Sequence, residues 1–182
     1  MKKSILLLTL AIALINISFA QTPSADKLLS AAYKTAAAQQ KKVLIIFHAS
    51  WCSWCKKMDA SINNPSCKKL FEDNYIIVHL DVNENAKNQN LENKGAQDYL
   101  MKYNGEKAGL PYFVVVDDQG ELIADSYIRN KGEKMREIGQ NMGCPASAEE
   151  VATFCKMLKG TSHLNDEQLQ VITKIFRKNE QQ

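Results

Sequence analysis

Cys52-Ser53-Trp54-Cys55 sets two thiols three residues apart, with Trp51 and Trp54 flanking the first. If this segment opens a helix, the first sulfur meets unsatisfied backbone N–H groups and the positive end of the helix dipole, which favour thiolate over thiol. Cys52 is then the nucleophile. Cys55 lies nearly one turn on, within reach of a mixed disulfide on Cys52, and is the resolving thiol. The competing readings are half of a zinc site and a structural disulfide. Zinc normally needs two further ligands at metal-like spacing, and neither Cys144 with Cys155 nor the three scattered His supplies them, so no metal site is assigned. Five Cys leave at least one thiol unpaired in a monomer. Cys67, close in sequence to Leu70 and Phe71, reads as a core thiol. Cys144 and Cys155 are candidates for a structural disulfide that would fold an irregular stretch back along the helix after it. Against that bond, Pro145 biases Cys144 toward extended chain, and Cys155 already has a place in an apolar stripe.

The elements that must present the pair follow from the apolar pattern. Val43 to Phe47 is a continuous apolar run rich in β-branched residues, which predicts a strand buried on both faces. It leads through His48-Ala49-Ser50-Trp51 into a predicted helix that ends near Asn63-Asn64-Pro65, so a strand delivers Cys52 to a helix start. Before it, Leu28, Leu29, Ala32, Tyr33 and Ala36 recur at helical spacing between Ser24 and Gln40, with Ser24 as N-cap. After it come a short helix from Ser66 to Glu72, a strand from Tyr75 to Val82, an Asn-rich surface loop from Asn83 to Gly95 and a short helix from Ala96 to Tyr103. Pro111 to Val116 and Glu121 to Asp125 predict a hairpin turning at Asp117-Asp118-Gln119-Gly120. Tyr127 to Pro145, with three Gly and many charges, reads as an irregular excursion. Ser147 with Glu150 gives a capping-box pattern ahead of the stripe Val151, Phe154, Cys155 and Leu158. A last helix runs from about Asp166 to Lys178 behind Asn165.

Met1 to Ala20 has the pattern of a secretory signal: Lys2-Lys3, an apolar run from Ile5 to Ile15, and Ser18 and Ala20 before a cut that leaves Gln21 first. The run is too short for an ordinary transmembrane helix, so no stable membrane insertion is expected once it is removed. With 182 residues, 45% hydrophobic and 24% charged, the chain is sized for one globular domain, which excludes collagen-like, coiled-coil and wholly disordered readings. The signal carries two Lys and no acid, so its loss takes the formal charge from +3 to +1 and leaves no electrostatic case for nucleic acid. Export places the thiols where disulfides form and persist.

At this point the stretch from Phe47 to Lys56 resembles the active-site stretch of the thioredoxin superfamily. Gly109-Leu110-Pro111, with the strand after it, resembles the family's second signature, in which a cis proline faces the CxxC loop. Lys56, Lys57, Met58 and the long tail are most similar to exported bacterial thioredoxin-like proteins of the WCxWCK type. The resemblance implies an α/β, thioredoxin-like fold: a four-stranded mixed sheet flanked by helices, with an N-terminal helix and a C-terminal helical extension. The chain then divides into a signal peptide at 1–20, a thioredoxin-like domain at 21–160 and the extension at 161–182. A redox-active disulfide between Cys52 and Cys55 is the only cofactor implied. A cis Pro111 would leave the Leu110 backbone free to pair with an extended client segment, while Trp51 and Trp54 offer an apolar docking rim.

Two departures from the family pattern matter. Many members carry a buried acid just before the Phe, where this chain has Ile46, and the dipeptide between the cysteines is Ser-Trp rather than Gly-Pro. Cys55 therefore needs another proton acceptor, and His48, with an ordinary pKa near 6.5, is the nearest titratable candidate in sequence. These readings converge on an exported, periplasmic or extracellular thiol:disulfide oxidoreductase. It would exchange disulfides with client proteins and with an upstream electron donor or acceptor protein, working as a reductant. The alternative is a module that handles copper or another soft metal through Cys52, Cys55 and a His.

Overall fold

Lys42–His48 form the central strand β1, whose five inner residues are all buried, as a continuous run of apolar side chains requires. In this computed structural model, which describes residues 22–129, 134–135 and 137–181, β1 pairs in parallel with β2 (Tyr75–Asp81), aligning Ile46 with His79 and His48 with Asp81. The expected signal at Met1 to Ala20 lies outside the described residues. On its other side β1 pairs antiparallel with β3 (Tyr112–Val116), and β3 with β4 (Leu122–Asp125) across the expected hairpin turn. The order β2-β1-β3-β4 is the four-stranded mixed sheet that the resemblance implies.

Alternation along the strands sorts the core into two layers. One face carries Val43, Ile45, Phe47, Leu80 and Val114 against α1 (Ala25–Gln39) and α4 (Ala96–Lys102). The other carries Leu44, Ile46, Phe113 and Val115 against α2 (Ser53–Ile62), α3 (Lys68–Asn74), α5 (Ala148–Thr161) and α6 (Asp166–Phe176). Leu169, Ile172 and Phe176 of α6 join that same cluster, so the tail packs on the sheet layer. Ser24, Ser147 and Asn165 cap α1, α5 and α6, the last two closing capping boxes with Glu150 and Gln168. Among the described residues no helix is long and apolar enough to cross a membrane.

Two expectations change, and one candidate is not realised. The helix expected from Ser66 starts at Lys68, because Asn64 first closes an Asx turn in which its Oδ1 accepts from Ser66 N at 3.0 Å. The excursion after Ser126 is not wholly irregular: β5 (Tyr127–Ile128) pairs antiparallel with β6 (Gln140–Asn141). At its root Arg129 grips Asp125 with two parallel bonds of 2.5 and 2.7 Å and donates to the carbonyls of Met135 and Glu137. Finally, Cys144 and Cys155 do not form the candidate disulfide; both are free thiols. The Cys144 sulfur accepts from Asn179 Nδ2 at 3.4 Å, whereas Cys155 sits against α6 with its sulfur 3.3 Å from Thr173 Oγ1, so the two are engaged by different partners.

Candidate active site

Cys52 is the N-cap of α2, in extended backbone geometry, and its sulfur accepts a hydrogen bond from Cys55 N at 3.1 Å. A helix that begins at Ser53 has spare N–H groups at this end, and the sulfur takes one of them. Cys52 and Cys55 are joined as a disulfide with Cα atoms 5.3 Å apart. Both are nearly buried, at 4% and 2% exposure, packed with Ala49 and with Leu110. The Leu110–Pro111 peptide is cis, and its loop meets the cysteines as the resemblance implies. Trp51 and Trp54, by contrast, are 54% and 43% exposed, and Lys57 Nζ lies 4.2 Å over the Trp54 ring. Between Trp54 and Leu110 a recess of about 240 Å³ opens toward Met142, Cys144 and Glu150.

Two loops hold this surface in place. From the Asn-rich segment, Glu84 accepts from Ser50 N at 2.5 Å and from Ser50 Oγ at 2.8 Å, Asn88 Nδ2 donates to the same hydroxyl, and Asn83 O accepts from the Trp51 indole N–H. From β6, Asn141 Nδ2 donates to the carbonyls of Gly109 and Pro111 at 2.6 and 3.1 Å, fixing the proline loop. Sequence reasoning missed Glu84 and Asn141. Both sit in stretches without apolar periodicity, and their partners lie far away in sequence, so composition offered no signal for either.

Beneath α2 the sheet turns polar at the end nearest the cysteines. His48 Nε2 lies 3.3 Å from Asp81 Oδ1 without forming a hydrogen bond to it, and the His48 ring is 5.0 Å from that of His79. His79 Nε2 in turn is 2.7 Å from Asp59 Oδ1 on α2, one turn beyond Cys55. Burial holds the His48 imidazole below its ordinary 6.5, with Asp81 opposing the shift, and burial raises the Asp81 carboxyl above its ordinary range, with His48 opposing. Desolvation outweighs the mutual attraction in both. The structure thus brings His48 into a four-membered strip that Ile46 does not join, since Ile46 packs in the apolar layer.

The other thiols sit in different surroundings. Burial pushes Cys67 up to about 11 and Cys144 up to about 12, far from a reactive thiolate. Among the described residues no group of three or more His, Cys, Asp or Glu is arranged to hold a metal ion.

A family model described as thioredoxin-like matches residues 25–118, more than half of the chain. The chain belongs to that family. The chemistry of that family is thiol–disulfide oxidoreduction, and the CxxC pair such chemistry uses is present here as the Cys52–Cys55 disulfide. No curated protein matches the sequence. Among solved structures, a disulphide isomerase from Xylella fastidiosa Temecula1 is 20% identical, with a TM-score of 0.50, over 91% of this chain and 98% of that one. A DsbH oxidoreductase is 22% identical, with a TM-score of 0.46, over 87% and 95% of the two chains. At such identities the likeness concerns the thioredoxin-like fold alone.

Proposed function

We propose that this protein is an exported thiol:disulfide oxidoreductase that reduces disulfides in client proteins. One observation carries the reading: Cys52 caps α2 with a backbone N–H aimed at its sulfur, directly beside the cis-proline loop. In the forward direction the Cys52 thiolate attacks a client disulfide, one client sulfur leaves as thiolate, and a mixed disulfide forms. Cys55 then gives up its proton and attacks the Cys52 sulfur. The second client thiolate leaves, and the Cys52–Cys55 disulfide is regenerated while the client gains two electrons. The proton passes to the polar strip under α2, where His48, whose pKa burial lowers, is the acceptor. Leu110 pairs with the extended client through its backbone, and Trp51 and Trp54 cover the client's flanks. An upstream donor protein restores the dithiol.

The test is trapping in the native host. Cys52→Ser abolishes exchange, whereas Cys55→Ser still attacks and accumulates client proteins as mixed disulfides; equal trapping by both variants sinks the assignment. The Met1–Ala20 pattern supports export, and N-terminal sequencing of the exported protein should begin at Gln21. Retention of Met1 on the isolated protein would overturn it.

A further inference from the structure

A buried carboxylate is costly unless it is paired with a cation or well bonded. Glu84 is only 8% exposed, and among the described residues it forms no ion pair. Its bonds come instead from neutral donors on one residue, Ser50, whose hydroxyl is also bonded by Asn88. Ser50 is separated from Cys52 by Trp51 alone, and two Cα steps reach at most about 7.6 Å, so a carboxylate bonded to Ser50 N lies on the order of 8 Å from the Cys52 residue. Among the described residues, then, a carboxylate held by hydrogen bonds and without an ion-pair partner stands near the sulfur whose ionisation drives the chemistry.

Several groups act on that sulfur once the disulfide opens. The N-terminus of α2 favours thiolate, and on the same helix the Lys57 ammonium is seated over Trp54. Glu84 opposes them. The titratable groups facing Glu84 from the strand ends are His48 on β1 and Asp81 on β2, and Glu92 Oε1 accepts from Glu84 N across the loop.

We propose that Glu84 is a positioning residue that clamps the Ser50-Trp51 approach to Cys52 and whose charge disfavours the Cys52 thiolate, biasing the pair toward electron donation. The proposal rests on the thiol–disulfide reading of the site and supplies a physical reason for its direction. Thiolate exists only in the reduced protein. Raising its free energy therefore raises the dithiol relative to the disulfide and makes the dithiol the stronger donor. At about 8 Å, one unit charge changes the thiolate-to-thiol ratio by about 2-fold in water-like screening and by about 30-fold at an effective dielectric constant of 20. Because the charge acts on the ionised form, its effect on the redox equilibrium grows as pH rises through the Cys52 titration, a signature that a purely structural clamp does not give.

The experiment uses the full mature chain. Glu84→Gln keeps an oxygen for Ser50 and removes the charge. Alkylation rate against pH reads the Cys52 thiol, and equilibration with glutathione reads the redox balance, in which the protein disulfide plus two glutathione thiols gives two protein thiols and one glutathione disulfide. In Glu84→Gln the thiolate-to-thiol ratio should rise by about 2- to 30-fold, and the glutathione equilibrium should move toward the protein dithiol, more at high pH than at low. Asn88→Asp, which sets a second carboxylate against Ser50, should move both quantities the other way and covers the case of a Glu84→Gln chain that does not fold. A folded Glu84→Gln protein with an unchanged alkylation profile and glutathione equilibrium overturns the proposal, as does an unmoved Asn88→Asp. Failure of the wild-type protein to exchange with glutathione or with any protein disulfide would instead overturn the reading of the site.

Discussion

The two loops that hold the active surface handle charge in opposite ways. Around the excursion, Asp125 and Arg129 bury their charges as a two-bond ion pair, and the contact with the proline loop is made by a neutral amide, Asn141. In the Asn-rich loop a carboxylate, Glu84, faces the approach to Cys52, and among the described residues it has no ion-pair partner. Where the molecule needs only stiffness the charge is cancelled; beside the sulfur it is left standing. The excursion is thus a mechanical support, whereas the Asn-rich loop is also an electrostatic one.

The largest way to break this contrast is to unbalance the excursion. Arg129→Ala leaves Asp125 buried without its partner, and we expect a stability loss of about 3–5 kcal/mol in chemical denaturation. Pairing it with Asp125→Asn should recover most of that loss, while thiol reactivity at Cys52 stays near wild type in the double variant. Asn141→Ala comes next: losing two bonds to Gly109 and Pro111 should cost about 1–3 kcal/mol and raise KM for a peptide disulfide more than it lowers kcat. An unchanged KM would mean that the proline loop holds its own shape.

A sharper probe is selective alkylation of the reduced chain at mildly acidic pH, read by peptide mass spectrometry. Cys52 should label first, with Cys67 and Cys144 silent, since burial has pushed those thiols up to about 11 and about 12. Early labelling of Cys67 would refute the helix-terminus argument. The smallest effect concerns His48. Its folded pKa lies below the ordinary 6.5, so the unfolded chain binds the proton more readily, and His48 makes stability rise with pH up to about 6.5 and fall below it. Thermal melts of His48→Gln should show a shallower decline than wild type as pH drops through that window; parallel curves would remove the claim.

Much of the frame was legible before the fold was known. Val43 to Phe47 reads as a doubly buried strand, and the CxxC pair after it marks a helix start, because apolar period and capping chemistry are local. The polar supports were not legible. Glu84 reaches back to Ser50, Asn141 to Gly109 and Pro111, and Asp59 to His79, each a single side chain meeting a distant partner with no pattern of its own. His48 was picked out by its distance along the chain from Ile46, but its partnership with Asp81 and His79 depends on the parallel register of β1 and β2. The candidate bond between Cys144 and Cys155 failed for the same reason: the apolar stripe placed Cys155 correctly against its neighbours, while Asn179, a tail residue without a motif, decided the surroundings of Cys144.

The placement of the indoles gives the molecule a built-in optical readout. The chain has two tryptophans, and both flank Cys52, half exposed at the rim of the site. All of its indole emission therefore originates within a few residues of the redox centre. A neighbouring disulfide quenches such emission, so opening the Cys52–Cys55 bond should brighten the protein. A client laid across Trp51 and Trp54 should instead shift the colour toward blue by excluding water, so brightness follows electron transfer and colour follows client binding, without a label.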